Sequence, residues 1–307
     1  MIMVASSSKP LSLADGEIHV WTARFIDDDS TTNDLIRLLD HDERVRAERL
    51  VQPRDRARFI QFHAFTRQIV GGYLGVPPRD ATFARGPHGK PQAASGSGYP
   101  GFHFNLSHSG DYCMLAARIG CPVGIDIEAL RDGPQALAIA ARRFARSEAA
   151  LIGRLDGDAR RDAFFALWTH KEAAVKCLGQ GLAANLARFT FALDAMGCPQ
   201  LAAVARRRSH SPHLWLRPLA APDGYAAALA SLRPCRKIDL RTWKAGDGTP
   251  SADRKAPLWR FGRDGMTAGR PALLRPHSNP PNRTGAAAPS LTSAGRVAVS
   301  TIASCRL

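Results

Sequence analysis

From Glu17 to Phe25 the chain alternates through Ile18, Val20 and Thr22, the period-two signature of a half-buried strand. The pattern then changes to helical spacing over residues 34–50 and 54–73. In the first stretch Asp40 and Glu43 have the spacing of a capping box that restarts the helix at His41. In the second, Phe59, Phe62, Ala64, Phe65 and Ile69 make an apolar face, and Gly71-Gly72 weakens its end. Residues 86–100 are rich in Gly, Pro and Ser and read as loop. A short strand over 102–106 is predicted to end in the turn Ser107-His108-Ser109-Gly110, with further strands over 112–118 and 123–127. Residues 136–144 read as helix, and Ser147-Glu148 opens another with an acid in its first turn. A long helix over 160–178 stops at Gly179, a residue suited to a left-handed cap. Strands over 189–193, 214–219 and 225–230 follow. Strand, helices and strands therefore occur twice, around 15–127 and 136–232, an α+β order with no residue-level repeat.

Two of these elements carry chemistry. Val123, Ile125 and Ile127 alternate with Gly124, Asp126 and Glu128, so both carboxylates share one strand face roughly 7 Å apart at ~3.3 Å per residue. In Trp168-Thr169-His170-Lys171-Glu172-Ala173-Ala174-Val175-Lys176, Glu172 and Lys176 stand four apart and leave the helix on one face. Alone, the first pair reads as a solvated acidic edge and the second as a surface ion pair. Together they can hold a hard divalent cation and a phosphate, since Mg²⁺ takes carboxylate, phosphate and water oxygens.

The order Gly89-Lys90-Pro91, Phe104-Asn105-Leu106-Ser107-His108-Ser109, Gly124-Ile125-Asp126-Ile127-Glu128 and Trp168-x-x-Lys171-Glu172-Ala173-x-x-Lys176 resembles the 4′-phosphopantetheinyl transferases. It is similar to the larger single-chain type that activates non-ribosomal peptide and polyketide synthases, and the likeness runs from about residue 15 to about 232. The resemblance implies two similar α+β halves with the active site between them. It implies Mg²⁺ on Asp126, Glu128 and Glu172, coenzyme A as co-substrate, and an apo acyl or peptidyl carrier protein as acceptor. Lys176 would face the transferred phosphate, with Lys171 its neighbour, and Glu172 or, in reserve, Glu148 would take the serine proton. Glu148 also reads simply as a helix-start acid. Ser107 and His108 would meet a coenzyme A phosphate, and Lys90 the nucleotide end. Arg58, by its spacing to Arg67, would hold the 3′-phosphate with a fork suited to that dianion, and Arg46 and Arg49 would help. Trp168 and Phe104 read as packing.

Composition refines this picture. The 307 residues are 45% apolar, enough for one large or two ordinary domains, and carry a net charge of +15. Residues 233–307 hold 14 Lys/Arg against 4 Asp/Glu, so +10 of that charge is theirs and only +5 belongs to residues 1–232. The expected division is a loose leader (1–14), two halves (15–127 and 128–232) and a basic tail (233–307) too poor in apolar pattern to offset its ordering entropy. Six cysteines show no C-x-x-C pair, which agrees with a reducing cytoplasm, and no signal or membrane segment is readable. A monomer is expected. Two other classes stay open: a basic nucleic-acid-binding protein, with the charge as footprint, and a metal-dependent phosphohydrolase.

Overall fold

The computed structural model describes residues 11–85, 91–93, 101–132, 135–180, 185–194, 197–204 and 213–245. Strand β1 (Glu17–Arg24) leads into α1 (Asp29–Leu35), a 3₁₀ turn (Ile36–Leu38), α2 (His41–Glu48) and α3 (Pro53–Leu74). The predicted restart at His41 is present: Glu43 N donates to Asp40 Oδ1, and Asp40 N donates to Glu43 Oε2. Gly71 and Gly72 do not end α3, which runs on to a left-handed cap at Gly75 with φ 68°. At Gly71 a side chain would press on the Val76 carbonyl, 2.9 Å away.

Strand β2 (Phe83–Arg85) pairs with β3 (Pro91–Ala93), which falls within the stretch read as loop, and Lys90 lies outside the described residues. Strand β4 (Phe102–Ser109) extends through the positions expected to turn, so Ser107 and His108 are strand residues; the bend falls at Gly110, φ 54°. Then come β5 (Tyr112–Ile119), β6 (Val123–Ala129), α4 (Gln135–Arg143), α5 (Arg146–Gly153) and α6 (Gly157–Cys177). The chain closes with β7 (Phe189–Leu193), β8 (Pro199–Val204), β9 (Trp215–Leu219), β10 (Tyr225–Ser231) and β11 (Lys237–Trp243).

The strands form a four-stranded sheet, β11-β1-β5-β4, a three-stranded sheet, β6-β10-β9, and two hairpins. Helices α1–α3 cover one face of the first sheet through Trp21, Phe62, Phe65, Ile69 and Leu115. Its other face packs on the second sheet, with Ile18, Val20 and Met114 against Val123, Ile125, Ile127 and Leu229. Helix α6 lies across the far face of the second sheet, touching Ala228 and Ala230 through Ala173 and Cys177. The result is a layered α+β architecture in which strand periodicity sends alternate residues of β6 into two different environments.

Three expected boundaries change. Strand β6 pairs with β10, so the second half begins before Val123 and not after Ile127. Residues 11–14 are not loose: Leu13 is buried in the first core, and Leu11 N donates to Gly72 O. The basic segment after 232 enters the fold, since β11 pairs in parallel with β1 from Glu17–Lys237 to Ala23–Trp243. Trp243 is buried, 5.5 Å ring to ring from Phe65, and its Nε1 donates to Gln68 Oε1 at 2.8 Å. Arg118 supports the crossover by donating to Ser231 Oγ and to the carbonyls of Arg233 and Pro234.

Candidate active site

Where α6 crosses β6, the two backbones nearly touch. A Cβ on Gly124 would overlap the Ala173 carbonyl and the Cys177 amide, so only glycine lets the helix come this close. The next residues on that strand face are Asp126 and Glu128, and on α6 Glu172 and Lys176 flank the contact. All three carboxylates are buried, Asp126 most completely at 1% exposure. Lys176 Nζ donates to Asp126 Oδ1 at 2.6 Å and to Ser107 Oγ at 2.8 Å; Ser107 Oγ donates to the same carboxylate oxygen at 2.8 Å. The other oxygen of Asp126, Oδ2, is buried with no hydrogen-bond partner among the described residues. Ser109 Oγ donates to Glu128 Oε2 at 2.8 Å.

The electrostatics of this cluster are unfavourable without a cation. Burial and then the Asp126 charge push the carboxyls of Glu128 and Glu172 up to about 7. Asp126 is raised as well, by burial, against the opposing pull of Lys176 and Ser107. Arg131 acts on Glu128 and Arg143 on Glu172 in the relieving direction. Hard oxygen donors and an orphaned buried carboxylate oxygen suit Mg²⁺. Yet among the described residues no three His, Cys, Asp or Glu side chains converge as a ready-made cage. Lys176 occupies the Asp126 oxygen it would have to share, so a cation here requires side-chain movement.

Lys171 and Glu148 belong elsewhere, which corrects two expectations. Adjacent residues on a helix point about 100° apart, so Lys171 turns away from the cluster that Glu172 faces. Its Nζ lies 2.8 Å from Glu148, both side chains are fully buried, and it donates to the carbonyls of Leu186 and Phe189. Phe144 and Phe191 flank the ammonium at 5.1 and 5.4 Å. Glu148 also accepts from Ala145 N and Phe191 N. A carboxylate held by three partners in a closed core cannot take a proton from an outside serine, and Lys171 cannot reach a cofactor. Trp168 packs with Phe164 and Phe144, as expected of it.

The candidate phosphate-binding residues lie on the first half. Arg58 Nε and Nη2 donate to Asp111 Oδ1 at 3.1 and 2.5 Å, and Arg54 joins the same carboxylate. Both guanidinium groups sit over the Phe25 ring, at 5.3 and 5.7 Å. One helical turn on from Arg58, Phe62 meets the His108 ring at 5.6 Å, so Arg58 and His108 border one face of α3. Arg46 lies 5.3 Å over Phe59. Arg67, by contrast, is buried among Glu43, Asp40 and three carbonyls and is structural. Asn105 and Ser109 stand in the sequence motif without a role of their own and Asp111 lies just beyond it, although Asn105-x-Ser107-x-Ser109 has strand periodicity and so marks one polar face.

Two α+β halves meeting at buried acids, a lysine and a group of arginines define a protein built to handle a phosphorylated ligand. Residues 122–230 match the 4′-phosphopantetheinyl transferase superfamily, and residues 27–120 match the 4′-phosphopantetheinyl transferase N-terminal region. The 4′-phosphopantetheinyl transferase HetI of Nostoc sp. is 36% identical over 173 residues, 56% of this chain and 73% of that protein. The 4′-phosphopantetheinyl transferase psf-1 of Bacillus pumilus is 32% identical, covering 63% of this chain and 78% of its own length. A holo-(acyl-carrier-protein) synthase structure from Bacillus anthracis, in complex with CoA, aligns with 36% of the chain at 21% identity and a TM-score of 0.30. The chain belongs to the 4′-phosphopantetheinyl transferase family and is a transferase of that kind. The comparisons give no support to the nucleic-acid-binding or phosphohydrolase readings.

Proposed function

We propose that this enzyme transfers the 4′-phosphopantetheine arm of coenzyme A to a serine hydroxyl of an apo acyl or peptidyl carrier protein, with Mg²⁺ held by Asp126, Glu128 and Glu172. The observation that carries the reading is the buried carboxylate cluster with its orphaned Asp126 Oδ2 beside Lys176. The serine oxygen forms a bond to the pantetheine-bearing phosphorus, the pyrophosphate P–O bond breaks, and 3′,5′-adenosine bisphosphate leaves. Bound Mg²⁺ would supply charge neutralisation on the phosphate oxygens. Lys176, released from Asp126, turns its ammonium to the transferring phosphate and stabilises the charge that grows there. Glu172, pushed up to about 7, is the acid–base residue left for the serine proton once Glu148 is excluded by burial. Arg58 holds the 3′-phosphate, helped by Arg46 and Arg49, and Ser107 and His108 line the phosphate path. Lys90 takes the nucleotide end in this reading.

Carrier proteins of non-ribosomal peptide or polyketide synthesis are the proposed substrates, and the cytoplasm the proposed compartment for a monomeric enzyme. Among the described residues no helix is long and apolar enough to cross a membrane. The test is incubation with coenzyme A, Mg²⁺ and a panel of apo carrier proteins, read by intact-protein mass spectrometry. A phosphopantetheine mass gain on serine, lost with Asp126→Ala, supports the reading. Consumption of coenzyme A without carrier modification would overturn it.

A further inference from the structure

Beside their face-to-face packing, the two sheets also meet along one edge through side chains. Strand β4 is an outer strand of the first sheet, β6 an outer strand of the second, and among the described residues no backbone ladder joins them. An open edge of this kind leaves N–H and C=O groups in need of partners. Here alternate residues of β4 supply them. Asn105 Oδ1 accepts from Ile125 N at 2.8 Å, Ser107 Oγ donates to Asp126, and Ser109 Oγ donates to Glu128 while accepting from Ala129 N at 3.1 Å. All three polar side chains are buried. Each serine thus joins the halves and grips a carboxylate with the same hydroxyl. Ser107 already shares its carboxylate with Lys176; Ser109 is the hydroxyl on Glu128.

We infer that Ser109 is a positioning residue for cation binding: its hydroxyl bridges Ala129 N and Glu128 and so sets where the Glu128 carboxylate stands relative to Asp126. This rests on the proposed metal reading, and it adds a residue from the first half to a site whose ligands all come from the second. The geometry favours this over a purely structural joint because one oxygen serves both roles. Ala129 N anchors the lone pair, which turns the O–H towards the carboxylate. A methyl group in its place would leave Glu128 free to rotate and Ala129 N unpaired.

The experiment is a Mg²⁺ titration of the full chain with coenzyme A present and no carrier protein, followed by melting temperature. Ser109→Ala, Ser109→Thr and Glu128→Gln are compared with wild type, and KM values for Mg²⁺ and coenzyme A follow. Ser109→Ala should raise the Mg²⁺ midpoint about tenfold, equivalent to ~1.4 kcal/mol. The coenzyme A KM should hold, and Ser109→Thr, which keeps the hydroxyl, should restore the midpoint. A lower melting temperature with an unchanged Mg²⁺ midpoint would overturn the proposal and leave Ser109 a joint only. If Glu128→Gln raises the midpoint and Ser109→Ala does not, the positioning role fails alone. If neither moves it, the metal reading fails with it. Should Ser109→Ala not fold, Ser109→Cys, which keeps the volume with a weak donor, carries the same comparison.

Discussion

Glu172→Gln should make the metal-free protein more stable. Glu172 is 5% exposed, and its carboxyl is pushed from 4.5 to about 7 by burial and by Asp126. A carboxyl whose folded-state pKa is raised costs nothing below its unfolded value and its full penalty above the folded one. The penalty therefore grows as pH rises from 4.5 through 7. At ~1.4 kcal/mol per unit it reaches at most about 3 kcal/mol by pH 8, and the coupling to Asp126 argues for somewhat less. Glutamine has the shape of the protonated acid and no charge to repel. In EDTA at pH 8 the variant should melt roughly 4–10 °C above wild type, taking about 2–4 °C per kcal/mol for a fold of this size. At pH 5 the two should nearly coincide. Saturating Mg²⁺ should reverse the order at pH 8, because the cation stabilises only the protein that binds it well. Calorimetry at both pH values, in EDTA and in Mg²⁺, makes the comparison. A variant less stable than wild type in EDTA at pH 8 would show that Glu172 is held by favourable contacts, and the repulsion argument would fail.

Three further outcomes are expected. A chain ended after Leu232 should unfold far more readily than one ended after Ala245, since losing the burial of Trp243 alone costs about 4–6 kcal/mol for ~150–250 Å² of aromatic surface; thermal melts of both truncations decide this. Lys171→Met should cost roughly 3–5 kcal/mol by stranding the buried Glu148, and adding Glu148→Leu should recover much of it in urea denaturation; a double variant as weak as the single one would refute the pairing argument. Arg58→Ala should weaken coenzyme A about 10- to 150-fold while barely affecting dephospho-coenzyme A, the effect of one charge-assisted hydrogen bond. Equal losses for both cofactors would make Arg58, with its Asp111 partner, a structural residue.

Local chemistry was enough to read the carboxylate face of β6, the Glu172–Lys176 pair, the Asp40–Glu43 cap and the apolar face of α3. Each depends on spacing of a few residues, which a strand's period of two or a helix's 3.6 converts directly into a shared face. The α+β class followed from the order of such elements, and the family from the resemblance that the ordered motifs carry.

What spacing could not supply was direction around the helix and partners far along the chain. Lys171 and Glu172 are neighbours in sequence, yet the packing of α6 between β6 and the Phe144–Phe191 core sends one to a buried ion pair and the other to the acid cluster. Glu148 looked available for catalysis until Lys171 closed over it. Strand β11 is seven residues in a basic, Pro- and Gly-rich segment, and its partner β1 lies about 220 positions earlier, so nothing local announces it. The Ser107 and Ser109 contacts likewise exist only because two sheet edges meet. Spacing along the chain dictates which groups can share a face; burial, and the desolvation that raises or pairs each charge, comes from packing, because those energies depend on what the rest of the chain brings alongside.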